Sequence, residues 1–156
     1  MALRVGIIGA SGIGYVHACH YNELGARVVA VLCSSKLKAK EVAEKLTKQY
    51  SIKVVGFHIL DAFLKEKLDA VSICTPPSLH IDHIKACFDK NIPVFCEKPL
   101  FWNKSMIPQD VYTQINSIES HENRRLFVNT SNTVFMDTII DKEDKSVTCK
   151  NLSFEF

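Results

Sequence analysis

The chain has 156 residues, of which 47% are apolar and 23% charged, and its formal net charge is +2. That is the size and balance of one compact domain with a sizeable core. A charge so close to neutral gives no global reason to expect a nucleic-acid partner or an anionic membrane. No stretch approaches the roughly 20 apolar residues of a bilayer-spanning helix.

Strand and helix patterns alternate from the start. Met1-Ala2-Leu3-Arg4 leads directly into an apolar run over 3–8, without the pattern of a signal peptide. A glycine-rich turn follows, then a helix over about 14–24. Residues 27–32 (R-V-V-A-V-L) are apolar at nearly every position, as expected of a strand covered on both faces. Residues 36–48 form an amphipathic helix pattern, with Ala39, Val42, Ala43 and Leu46 on one stripe and lysines elsewhere. A third strand is expected over 52–55 and a short helix over 60–67. The fourth strand, 69–74, stops at Thr75-Pro76-Pro77, and Ser78 is placed to cap a helix running to about Lys90. Residues 93–96 read as a fifth strand, about 108–121 as a helix opening on Pro108, and 126–129 as a sixth strand.

This alternation predicts an α/β fold, a doubly wound parallel sheet of the Rossmann type, spanning 1–135. The rhythm breaks at Met136. Residues 137–145 are polar and charged, and 147–156 read as one more strand. The segment 136–156 is therefore expected to be a linker and the first strand of a truncated substrate domain.

The turn Gly9-Ala10-Ser11-Gly12-Ile13-Gly14 lies between the first strand and the first helix. Gly9 suits a tight turn, a small residue at Ser11 lets a pyrophosphate approach the backbone, and Gly14 lets the helix pack close to the strand. The free N–H groups of the helix start then favour an anion. The spacing departs from G-x-G-x-x-G, because Ser11 holds the middle position. A nicotinamide dinucleotide is the expected ligand. The second strand ends in Leu32-Cys33-Ser34-Ser35-Lys36 with no carboxylate to accept from a ribose 2′-hydroxyl. Hydroxyls at Ser34 and Ser35, with Lys36 or Lys38 nearby, suit a 2′-phosphate, so the expectation is NADP or NAD, favouring NADP.

Cys19, Cys33, Cys74, Cys87, Cys96 and Cys149 are scattered, without C-x-x-C spacing. They read as small buried hydrophobes in a reducing, cytoplasmic setting rather than as zinc ligands. His80 and His83, like His17 and His20, lie three apart on a helix and read as helix surface rather than as metal ligands.

Three segments carry a resemblance. Asp69-Ala70-Val71-Ser72-Ile73-Cys74-Thr75-Pro76-Pro77-Ser78-Leu79-His80, Val94-Phe95-Cys96-Glu97-Lys98-Pro99-Leu100, and the glycine turn followed by His17 resemble, in order and spacing, motifs of the glucose-fructose oxidoreductase/inositol dehydrogenase (Gfo/Idh/MocA) family over about residues 3–130. The resemblance implies a two-domain enzyme that oxidises sugars, inositols or related polyols by hydride transfer. Thr75 and Pro76 would line the nicotinamide side of the cleft, and Glu97 and Lys98 its mouth, with Lys98 catalytic. A lysine there would hydrogen-bond the substrate oxygen and favour negative charge on it.

The candidate cofactor-binding residues are thus Gly9, Ser11, Gly12, Ile13, Gly14, Ser34, Ser35, Lys36, Thr75, Pro76, His80, Glu97 and Lys98. A histidine of the second domain, usual in the family, has no counterpart after His121. Little turnover is therefore expected of this chain alone, and a homo-oligomer is allowed. A dinucleotide-binding module or sensor subunit without turnover is the alternative. A domain for S-adenosylmethionine or coenzyme A is a third reading, opposed by Glu97-Lys98-Pro99.

Overall fold

The computed structural model describes residues 2–130. Within them run β1 (Arg4–Ile8), α1 (Ile13–Glu23), β2 (Arg27–Leu32), α2 (Lys36–Tyr50), β3 (Val55–Phe57) and α3 (Leu60–Phe63). There follow β4 (Ala70–Ile73), α4 (His80–Asp89), β5 (Val94–Cys96), α5 (Pro108–Glu119) and β6 (Leu126–Val128). Every strand pairing is parallel and the order is β3-β2-β1-β4-β5-β6. This is the doubly wound sheet expected from the sequence. The strand order reverses between β1 and β4, which opens a crevice beyond the carboxyl ends of those strands.

Two cores form because the central strands are buried on both faces. On one face Val5, Ile7, Val28 and Val31 pack with Ala18 of α1 and Ala39, Ala43 and Leu46 of α2. On the other, Ile8, Val71, Ile73, Val94 and Leu126 pack with Phe63 of α3, Ile84 and Phe88 of α4 and Ile118 of α5. Val5 pairs with Val28 and Gly6 with Ala30, so Val29 is an extra residue and β2 carries a bulge. Val29 and Ala30 therefore share one face, which only a strand apolar on both sides tolerates.

Three local expectations change. The third strand lies at Val55–Phe57 rather than 52–55. The helix before it runs on to Tyr50 and is stopped by Ser51 at φ 54°, and the Thr47 hydroxyl takes the Val54 N–H at 3.0 Å. The helix expected over 60–67 ends at Phe63. Ser78 is not a helix cap: a 3-10 turn over Pro77–Leu79 intervenes, and α4 opens at His80 behind Leu79 with no side-chain cap. The linker and strand expected over 136–156, and the boundary at 135, lie outside the described residues.

Candidate functional site

The turn after β1 is dictated by close backbone packing. Gly9 has φ 84°, and its N–H and that of Ala10 both donate to Leu32 O, at 2.9 and 3.2 Å. A Cβ on Gly9 would fall 2.8 Å from the Cys74 carbonyl and Thr75 N, and one on Gly14 would fall 2.2 Å from Gly9 O. Side chains are thus excluded at both ends of the turn, which packs tightly onto the end of β4. Gly12 differs. Its φ of 60° suits glycine, yet a Cβ there would meet nothing within 4 Å.

Ser11, Gly12 and Ile13 are exposed. The helix behind them has no side-chain cap and no acidic residue in its first turn. Its first N–H groups and the positive end of its dipole are open to an anion at the switch point of the sheet. A cradle with no room for side chains at its ends and an uncapped helix start fits a pyrophosphate group.

At the end of β2, Cys33 N donates to Phe57 O at 2.9 Å. Ser34, Lys36 and Lys38 are exposed. The Ser35 hydroxyl caps α2 by accepting from Lys38 N at 3.3 Å. Burial pushes the Cys33 thiol up, while the Lys38 charge nearby opposes the shift. The first carboxylate after β2 is Glu41, in the second turn of α2.

Beneath the ends of β4 and β5 runs a chain of polar side chains that the sequence reading did not assemble. His17 Nε2 stands 3.0 Å from Glu97 Oε1, with side-chain exposures of 13% and 12%. His17 Nδ1 faces Ser72 Oγ at 3.0 Å and Cys74 Sγ at 3.4 Å. Asn129 Nδ2 donates to Glu97 Oε1, and Lys98 N to Glu97 Oε2 at 3.3 Å. Burial raises Tyr21 beside this chain and lifts Cys74 to about 11. Glu97 is therefore held from inside by α1 and β6, while Lys98 is exposed. The sequence offered one clue, Ser72. A hydroxyl in the otherwise apolar strand A-V-S-I needs a buried partner. Nothing local marked Asn129.

The histidines correct the helix-surface reading. His20 is exposed, but His17 is packed against Glu97 and Phe95. His80 is fully buried: Nε2 lies 2.7 Å from Thr75 O, and Nδ1 lies 3.1 Å from both Pro99 O and Leu100 O. His83 Nδ1 is 3.1 Å from Thr75 Oγ1, and burial, then the neighbouring His80, lowers its pKa. Thr75 is half-buried and Pro76 exposed.

Among the described residues no three His, Cys, Asp or Glu side chains gather as a metal site, and no helix is long and apolar enough to cross a membrane. A groove of about 590 Å3 between α2 and β3, lined in part by Lys40, Thr47, Lys53 and Gly56, shares only Lys36 with the candidate residues.

Residues 3–130 match the Gfo/Idh/MocA oxidoreductase family with its NAD-binding Rossmann fold. The inositol 2-dehydrogenase of Rubrobacter xylanophilus is 34% identical over 100 residues, covering 63% of this chain and 27% of that protein. The chain thus spans little more than a quarter of the length of that relative. A putative myo-inositol dehydrogenase structure from Sinorhizobium meliloti superposes with a TM-score of 0.68 at 28% identity, covering 90% of this chain and 41% of the other. The myo-inositol dehydrogenase of Lactobacillus casei, solved with NAD(H) and myo-inositol, gives a TM-score of 0.74 at 20% identity, over 94% of this chain and 42% of that one. A cradle suited to a pyrophosphate, the 3-2-1-4-5-6 sheet and the family match lead to one conclusion: the chain belongs to the Gfo/Idh/MocA oxidoreductases and carries their NAD-binding Rossmann domain.

Proposed function

We propose that this domain binds a nicotinamide dinucleotide for an enzyme that oxidises a secondary alcohol of an inositol or related polyol, and that it takes NADP at least as readily as NAD. The observation that carries the reading is the convergence of three turns at the carboxyl edge of adjacent strands. The uncapped 9–14 turn packs on Cys74 and Thr75 after β4, and exposed Lys98 follows Glu97 after β5.

When bound, the cofactor supplies the hydride acceptor. The roles of this chain follow from chemistry at each turn. The backbone N–H groups of Gly12, Ile13 and Gly14 hold the pyrophosphate. Ser34, Lys36 and Lys38 face the adenosine ribose, where donors and positive charge favour a 2′-phosphate and no carboxylate opposes it. Thr75 and Pro76 line the nicotinamide side. Lys98 hydrogen-bonds the substrate hydroxyl and favours negative charge on its oxygen. Glu97 stays behind Lys98 and fixes its backbone. The inositol dehydrogenases among the relatives support the substrate class. The five described cysteines are free thiols, which supports the reducing, cytoplasmic setting.

Calorimetric titration tests this. NADP and NAD should both bind, NADP no more weakly than NAD, and S-adenosylmethionine should not bind. Binding of S-adenosylmethionine alone would overturn the reading.

A further inference from the structure

We propose that His80 is a positioning residue, a two-armed clasp that holds the Thr75-Pro76 turn and the Lys98-Pro99-Leu100 turn at a fixed spacing. It stands at the first position of α4 with no exposed surface. One arm is Nε2 on Thr75 O at 2.7 Å; the other is Nδ1, shared between Pro99 O and Leu100 O at 3.1 Å each. The two turns follow neighbouring strands, β4 and β5, at the carboxyl edge of the sheet. His80 is 5 residues from Thr75 and 19 and 20 from Pro99 and Leu100, so its ring links turns that are distant in the chain.

The partners are all backbone carbonyls. A carbonyl oxygen only accepts, and a neutral imidazole has one N–H. Whichever ring nitrogen carries the hydrogen, it faces a turn carbonyl that can accept it. His83 on the same helix has its pKa lowered by burial first and by His80 second, and it turns its Nδ1 to Thr75 Oγ1. The clasp thus fixes the backbone of Thr75, and His83 its hydroxyl. On the other side the ring fixes the two carbonyls that follow Lys98.

The functional consequence rests on the dinucleotide reading above: the clasp sets the nicotinamide end of the site and leaves the adenosine end alone. Two measurements on the whole chain test it. Nitrogen-15 NMR of the histidine rings should show a slowly exchanging N–H on His80, whose ring has no exposed surface. The signals are assigned with His80→Gln, or by through-bond correlation if that variant does not fold. A His80 ring N–H that exchanges with solvent as fast as that of exposed His20 in the folded protein overturns the clasp.

Calorimetry should then show His80→Gln weakening dinucleotide binding about tenfold while ADP-ribose affinity stays within about twofold. Equal loss for both ligands in a folded variant would mean that His80 only supports the fold, which overturns the positioning role. A slowly exchanging His80 N–H in a protein that binds ADP-ribose but gains nothing from nicotinamide would uphold the clasp and overturn the functional reading instead.

Discussion

His17 on α1 and Glu97 after β5 meet at 3.0 Å, with side-chain exposures of 13% and 12%. They tie the first helix to the Glu-Lys-Pro turn across the full width of β4. Asn129 adds a donor from the end of β6, so one carboxylate joins three elements. Lys98, the next residue, is left free to face outward.

Removing that carboxylate should be costly. Glu97→Ala leaves His17 Nε2 and Asn129 Nδ2 without their acceptor in a shielded site, at about 1–3 kcal/mol. Glu97→Gln keeps an acceptor oxygen and should lose less than half as much. Urea unfolding measures both. The double variant with His17→Ala should lose less than the sum of the singles, because the two side chains act as one unit. Strict additivity would mean that the contact contributes nothing.

The glycine turn gives a second test. Gly14→Val places carbon atoms against Gly9 O, where even a Cβ would come within 2.2 Å. It should destabilise the fold by about 1–3 kcal/mol and abolish dinucleotide binding. Gly12→Ala meets open space but takes a φ of 60° that alanine disfavours, so its cost should be about 1 kcal/mol. A folded Gly14→Val protein with unchanged affinity would remove the turn from the site.

Cofactor choice should respond to the end of β2. Ser34→Asp puts a carboxylate where the ribose 2′ position is expected. It should shift the NADP-to-NAD affinity ratio at least about tenfold toward NAD, or about 1.4 kcal/mol. Titration of both cofactors against both proteins checks this, and an unchanged ratio would place the 2′ group elsewhere.

His83 should make the fold acid-sensitive. Burial holds its pKa below the ordinary histidine value of 6.5, so the unfolded chain binds this proton more readily than the folded one. Its contribution to stability is complete above pH 6.5 and is lost as pH falls through the folded-state pKa. Protonation also forbids the Thr75 hydroxyl from donating to Nδ1. Melting temperatures should decline below pH 6.5, and less steeply in His83→Gln. Parallel curves for the two proteins would contradict this.

Buried thiols should resist alkylation. Burial lifts Cys74 to about 11 and Cys87 to about 12, and it raises Cys96 as well. In a Cys149→Ser background, Cys19, which is only half-buried, should react first with a thiol reagent. Peptide mapping of the modified protein would reveal the order.

The order of elements was legible in the sequence because strand and helix periodicities are local properties. R-V-V-A-V-L, apolar at nearly every residue, announced a strand covered on both faces, and the glycines at 9, 12 and 14 announced a turn before any neighbour was known. The motif 97–99 pointed to a site at a strand end.

Element edges were not legible. Thr47 reaching Val54 and the left-handed Ser51 moved β3, and both depend on how α2 ends. Nor did three-residue spacing say which histidine faces inward. His17 and His20 look alike in the chain, as do His80 and His83. Only the docking of α1 and α4 on the sheet brings Glu97 to His17 and three carbonyls to His80. Those contacts join residues up to 80 positions apart. Periodicity along the chain fixes which face of an element is apolar. The partner of a polar side chain is set by strand order and by the packing of turns on adjacent strands, and these exist only once the sheet has assembled.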